Sequence, residues 1–471
     1  MWAFFILEGW MEYNEFLQTK LITSAPSGFD IDRGSLPAQL YEYQKDLVQW
    51  SCKRGKAALF TMTGTGKTAM QVSWADEVVK HTGGKVLVLA PLAVSKQTVN
   101  ESLKFGVNVQ ICRFSDDLTD GNNISNYEKL HHFDPADFVG IVLDESSIIK
   151  AQDGKTRQAI IEFAQRIPYR LACTATPSPN DYMELGNHAE FLGIMSYTEM
   201  LATYFVHDGG ETAKWRLKGH AEERFWEWLA SWGVFLTKPS DLGYSDEGFD
   251  LPPLCTHQHV VASAPTEGSL FVVEASSLTE RRAARKESLE RRVAKCAEIV
   301  AQSRKPFLVW CGLNAESEML KAAIPGAVEV TGSDSDEHKE KSMLDFAAGN
   351  IDVMISKSSI CGFGMNWQVC ADTAFVGMSD SFEALFQSTK RFHRHGQTRE
   401  VNRHLIISEA EGSVLNNVKR KEKEFETMIA HMVEHTKKMS IANIRSLTNQ
   451  KDSYRAEDDI IIPAWLKEGG Y

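Results

Sequence analysis

The chain has 471 residues, long enough for two large α/β units plus additions, with cores that need no covalent staples. Its make-up, 43% hydrophobic and 24% charged with 14 prolines and 32 glycines, excludes a mainly disordered, collagen-like or disulfide-scaffold protein. The formal net charge of -12 argues against a small DNA-coating protein, yet leaves room for a nucleic-acid enzyme, because clustering of basic residues decides that question.

Residues 1–40 read as a lead segment. Trp2 to Leu7 is apolar but short, and no basic residue precedes Lys20, so it makes a poor signal peptide. Residues 1–10 read as dispensable or as an artefact of start-site choice, since Met11 opens a more ordinary amphipathic stretch. No run approaches the ~18 apolar residues of a membrane-spanning helix. The eight cysteines form no CxxC pair and no Cys/His comb, which favours reduced thiols in a cytoplasmic protein.

From 41 to 177 short apolar runs alternate with helical patterns. The runs 57–62, 85–91, 138–145 and 170–177 predict strands, and 71–83 and 154–167 predict helices between them. Such alternation implies a parallel sheet covered on both faces, with the chemistry at the carboxyl ends of the strands. The text changes over 178–255. It becomes rich in Trp, Tyr and Phe with a helical period, and reads as a helical insertion closed by Leu251-Pro252-Pro253. Trp226, Trp228 and Trp232 sit at helical spacing, and core is the better reading of them than base stacking. A charged helix from Leu278 then leads into strands at 306–312, 327–332, 352–357, 373–378 and 404–408, so 256–410 reads as a second α/β domain. Residues 411–471 read as a C-terminal helical tail, with the helix over 418–440.

The stretch Thr63-Gly64-Thr65-Gly66-Lys67-Thr68 lies between a strand and a helix, the context a phosphate-binding loop requires. Glycines let the backbone N–H groups curl toward phosphates, Lys67 reaches them, and the Thr68 hydroxyl suits Mg²⁺. Thr61 stands where the strict pattern has glycine, so the loop alone is only moderately specific. Asp144 and Glu145 end an apolar strand, where carboxylates are costly unless a cation or a reaction uses them. Asp144 suits the Mg²⁺ shell and Glu145 the polarising of an attacking water. In the second unit the run from Gln387 to Gln397 is dense in fixed charge, and Arg391 and Arg394, three apart, share one face if helical. A solvated basic face is the plain reading, and an arginine presented to a γ-phosphate is the functional one. His257 and His259 alternate as on a strand and have no further metal ligands beside them in sequence.

The order of these segments resembles that of superfamily-two DEAD/DEAH-type helicases, and within them compact phage or bacterial members of the Swi/Snf-like ATPase branch. Leu40 to Gln44 resembles the adenine-reading Q-like motif, with Gln44 as base reader. Thr63 to Thr68 resembles motif I, Leu89 to Leu92 motif Ia, and Ile124 to Glu128 motif Ib. Asp144-Glu145-Ser146-Ser147 resembles motif II, with serines in place of Ala-His. Thr174 to Pro177 resembles motif III, Gly362 to Trp367 motif V, and Gln387 to Gln397 motif VI. The resemblance spans roughly 40–410. It implies two tandem RecA-like (P-loop NTPase) domains and the cofactors ATP and Mg²⁺. Gly364 joins the cofactor-binding set, Pro91, Thr174, Thr176 and Asn366 contact nucleic acid or couple the two sites, and Arg394 is the finger. The implied partner is double-stranded or forked DNA, RNA being less favoured, in a bacterial or phage-infected cell. The alternatives are a nucleotide-gated switch in a replication, restriction or defence complex, or an RNA helicase. A basic stretch at Arg281, Arg282, Arg285, Lys286, Arg291, Arg292 and Lys295, and another at Lys390, Arg399 and Arg403, are candidates for sequence-independent backbone contacts.

Overall fold

The computed structural model describes residues 24–91, 94–151, 154–207, 215–262, 285–362, 365–377 and 381–448. The chain forms two parallel sheets covered by helices, the architecture of two RecA-like units. The first sheet comprises β1 (Lys56–Thr61), β2 (Lys85–Ala90), β3 (Val109–Ile111), β4 (Asn122–Asn126), β5 (Phe138–Asp144), β6 (Tyr169–Thr174) and, after a small β7 (Phe205–His207)/β8 (Trp215–Leu217) hairpin, β9 (Gly233–Leu236). Its order is β3-β4-β2-β5-β6-β1-β9. The central strands are buried on both faces, which is why they read as unbroken apolar runs. Along β1 the faces alternate. Ala58 and Phe60 join a core with Phe191, Trp228 and Trp232, whereas Ala57 and Leu59 join one with Leu47, Trp50 and Trp74.

β9 falls inside the segment read above as a helical insertion. It pairs with β1 in parallel, Leu59 opposite Val234 and Phe60 opposite Phe235, and so completes the first sheet. The Glu222–Ala230 helix before it buries Phe225, Trp226 and Trp228 against the same core. Four residues of strand directly after a tryptophan-rich helix give no separable period.

The second sheet has the order β10-β15-β14-β11-β13-β12. Its strands are β10 (Leu254–Val261), β11 (Phe307–Cys311), β12 (Val328–Val330), β13 (Val353–Lys357), β14 (Asp372–Val376) and β15 (Val401–Ser408). Part of the basic stretch proposed for nucleic acid turns inward here. Glu316 accepts from Arg285 Nε (2.8 Å) and Arg292 Nη1 (2.8 Å), and Arg292 is fully buried. Arg403 is likewise committed, to Thr256 and Glu422. Arg281 and Arg282 lie outside the described residues.

On the β10/β15 edge, His257 faces His404 in register and His259 Nε2 lies 3.0 Å from His404 Nδ1. Among the described residues no cluster of His, Cys, Asp or Glu could hold a metal. Burial, then His257 and His259, push His404 down to about 4 from 6.5. A histidine depressed in the fold lets the unfolded chain take up the proton first. Its contribution is therefore complete above pH 6.5 and is lost as pH falls toward 4. His404→Gln is expected to flatten that part of a stability-against-pH curve measured by denaturant titration.

The Gly412–Thr448 helix is a 37-residue strap about 55 Å long. Val414, Leu415 and Val418 pack into the second unit. Phe425, Ile429 and Met432 pack into the first, and Ile444 reaches the cluster around the Glu42–Arg54 helix. Met432 is fully buried. Met432→Ala should cost about 2–5 kcal/mol, read as a fall in Tm. Among the described residues no helix is long and apolar enough to cross a membrane.

Candidate functional site

The adjacent strands β5, β6 and β1 end together, so Asp144, Thr174 and Thr61 arrive side by side at one edge of the first sheet. The phosphate loop follows β1. Gly64 and Gly66 have φ of 94° and 82°, left-handed values that glycine adopts without steric cost. A Cβ on Gly66 would lie 2.1 Å from Gln44 Nε2, and one on Gly64 2.8 Å from the His395 nitrogen. Lys67 opens the 16-residue Lys67–Thr82 helix, whose free N–H groups and positive dipole end favour anions. Its Nζ donates to the Thr61 carbonyl (2.8 Å). Burial pulls its pKa down, against the pull of Glu145 and Asp144.

Gln44 sits behind this loop. Its Nε2 donates to the Thr65 carbonyl (2.9 Å) and its Oε1 accepts from the Tyr41 N–H (2.9 Å). The amide nitrogen thus holds the loop, and the oxygen caps the start of the Glu42–Arg54 helix. Next to it Tyr41, Tyr43, Phe249 and His395 form a run of ring contacts, with Phe249 stacked on His395 at 4.8 Å. Tyr41 is exposed.

Gln71, one turn beyond Lys67, donates to Asp144 Oδ1 (2.8 Å), and the Tyr127 hydroxyl donates to the Asp144 carbonyl (2.6 Å). Burial and the adjacent Glu145 raise the Asp144 pKa. Glu145 is the one described non-glycine residue in the left-handed region, with φ of 58°, a strain of about 1–3 kcal/mol that neighbouring contacts must hold in place. Its Oε2 accepts from Thr174 Oγ1 (3.4 Å), and Thr174 Oγ1 accepts from the Thr176 N–H (3.1 Å).

The second unit closes the cleft. Gln387 Nε2 donates to Thr176 Oγ1 (3.0 Å), and Arg391 Nη2 stands 3.8 Å from Glu145 Oε1. Arg391 is held by the Gln387 carbonyl and side chain (3.0 and 3.1 Å). Arg394 is pushed down to about 10 by burial and Arg391, so it stays cationic at neutral pH. Asn366 donates to Glu101 Oε1 (2.6 Å) on the Ser95–Ser102 helix, and Lys96 pairs with Glu340.

One cleft of about 240 Å³ is lined by Thr63, Gly64, Gly66, Lys67, Thr68, Asp144, Glu145, Asn366, Arg391 and Arg394. Residues more than 300 positions apart in sequence therefore meet. Thr174, Thr176 and Gln387 are buried beside the cleft and link its two walls. Pro91 directly follows β2, and its carbonyl accepts from the Val94 N–H (2.9 Å). Gly364 lies outside the described residues. Sequence reasoning missed Gln97, Glu101, Lys104, Phe105, Gln368 and His395, all in the cleft wall, and Phe249 behind it. Gln71 carried a readable signal, lying four residues after Lys67 on one helical face; Phe249 carried none. The donor set fits a nucleotide and Mg²⁺: a glycine cradle with no room for side chains, a lysine, Thr68 and Asp144 in the lining of the same cleft, and two arginines from the second unit.

Residues 37–179 match the family model described as type III restriction enzyme, res subunit. Among curated protein sequences none matches the chain. Among solved structures, the Sulfolobus solfataricus SWI2/SNF2 ATPase core in complex with dsDNA is 17% identical, covers 88% of this chain and 98% of that chain, and gives a TM-score of 0.40. The res-subunit family is thus matched over the first α/β unit, and the phosphate loop, the acidic pair and the arginines, drawn from both units, gather at one cleft.

Proposed function

We propose that the chain is an ATP-driven DNA translocase of the Swi/Snf-like branch, acting on double-stranded or forked DNA. The observation that carries this reading is the convergence of Arg391 and Arg394 from the second unit on Lys67, Asp144 and Glu145 of the first. A cleft built this way is complete only when the two units are closed, which is what couples hydrolysis to movement.

In this reading the loop N–H groups and Lys67 bind the β- and γ-phosphates, and Thr68 and Asp144 would hold Mg²⁺, which when bound would supply charge neutralisation at the phosphate oxygens. Glu145 orients the attacking water and takes its proton. Arg394 stabilises the transferring phosphoryl group, while Arg391, clamped by Gln387, keeps Glu145 in register. The Gln387–Thr176 bond reports the state of the cleft to the segment after β6. Pro91, Asn366 and the rim nearby are the proposed nucleic-acid side, and Tyr41 with Phe249 offers an aromatic edge for the base.

The test is ATP hydrolysis by purified protein with single-stranded, duplex and forked DNA and with RNA. Stimulation by DNA that Lys67→Ala abolishes is the expected result, and equal rates with and without every nucleic acid would overturn it. Displacement of a triplex strand over long tracks distinguishes stepping from a nucleotide-gated switch, which would bind and release without displacement.

A further inference from the structure

The Leu185–Leu192 helix lies outside every motif, yet it grips the turn that follows the acidic pair at both ends. His188 is fully buried, edge-on to Phe60 of β1, and its Nε2 lies 3.0 Å from Ser146 Oγ. Burial keeps the imidazole neutral, pushing it down to about 4. The preceding residue, Asn187, donates from Nδ2 to the Lys150 carbonyl (2.8 Å) and accepts at Oδ1 from Arg157 Nε (2.8 Å). The two ends of the 146–150 turn are thus fixed by neighbouring side chains of one helix. That helix is itself anchored, since Arg170 of β6 donates to the Phe191 carbonyl (2.8 Å) and Leu185, Ala189 and Phe191 are in the core.

The turn begins at Glu145, whose left-handed backbone is unfavourable for a side chain with a Cβ and persists only where its surroundings fix it. On its far side Lys150 pairs with Glu383, in the first turn of the helix that carries Gln387. Whatever fixes the turn therefore fixes both the carboxylate and a contact across the cleft.

We propose that His188 is a positioning residue for hydrolysis: by binding the Ser146 hydroxyl it holds the Glu145 backbone in the conformation that places its carboxylate between Thr174 and Arg391. This rests on the reading of Glu145 as the group that orients the attacking water. The turn after the acidic pair opens on two serines, and the imidazole that meets the first of them comes from 42 residues further along the chain.

The experiment compares the full-length wild type with His188→Ala, His188→Gln, Ser146→Ala and the double variant His188→Ala/Ser146→Ala. It measures kcat, KM for ATP, affinity for a non-hydrolysable ATP analogue, and Tm. His188→Ala and Ser146→Ala should each lower kcat roughly tenfold to a hundredfold with KM and analogue affinity within about twofold. The double variant should lose no more than either single one, and His188→Gln, whose amide reaches the Nε2 position, should recover most of the loss. Ser146→Ala removes one oxygen and carries the test if His188→Ala fails to fold. An active wild type with unchanged kcat in both single variants, additive losses, or a fall in analogue affinity and Tm that parallels kcat overturns the clamp alone. A wild type without ATPase activity overturns the hydrolytic reading and the clamp with it.

Discussion

Arg394→Ala is expected to lower the turnover of ATP by roughly a thousandfold or more, with a much smaller change in KM. Two arginines face the phosphate loop, and their surroundings separate their roles. The Arg391 guanidinium is engaged by Gln387 through two hydrogen bonds and stands against Glu145. Arg394 lines the cleft, and its buried Nε has no hydrogen-bond partner among the described residues. A buried cationic fork with an unmatched donor is held for an oxyanion. Arg394→Lys keeps a charge but not the planar fork, so it should recover little. Rapid-quench measurement of the chemical step, beside nucleotide affinity by fluorescence, checks this. Equal losses in affinity and turnover would make Arg394 a simple phosphate-binding residue.

Glu145→Gln should lower kcat by roughly 10²–10⁴-fold while nucleotide affinity persists. The amide is nearly isosteric and can still accept from Thr174 Oγ1, so the packing of the acidic turn survives. What disappears is the carboxylate proposed to take the proton. Single-turnover phosphate release under saturating ATP reads this directly. A variant that retains most of its turnover would move the base role elsewhere, with Asp144 the next carboxylate in the cleft.

The phosphate loop and the acidic pair lie where the sequence put them, at the ends of strands and, for the loop, in a turn that demands glycine, whereas Arg391 and Arg394 lie in turns beyond the Phe382–Thr389 helix and not on its face as the three-residue spacing suggested. The two-sheet architecture was legible because β1, β2, β5 and β6 are buried on both sides and their apolar runs are unbroken. What escaped is what only tertiary structure assembles. β9 is four residues of strand beside a tryptophan-rich helix, and its place next to β1 follows from the closing of the sheet. The bond from Gln44 Nε2 to the loop carbonyl of Thr65, 21 residues away, carried no sequence signal. Arg285 and Arg292 looked like part of a nucleic-acid track until Glu316, on another helix, met them in the interior. His188 had no sequence signal, because its partner Ser146 lies across the core of the first unit.

The strap limits how far the two units can part. A flexible connection between two lobes sets only a maximum separation, whereas an α-helix resists both bending and extension. Here one helix is seated in the cores of both units. Any swing of the second unit away from the first must bend this rod or slide Phe425 and Ile429 out of their seats. The resistance to separation therefore lies in the far end of the chain, at the seats of Phe425 and Ile429, rather than in the cleft itself.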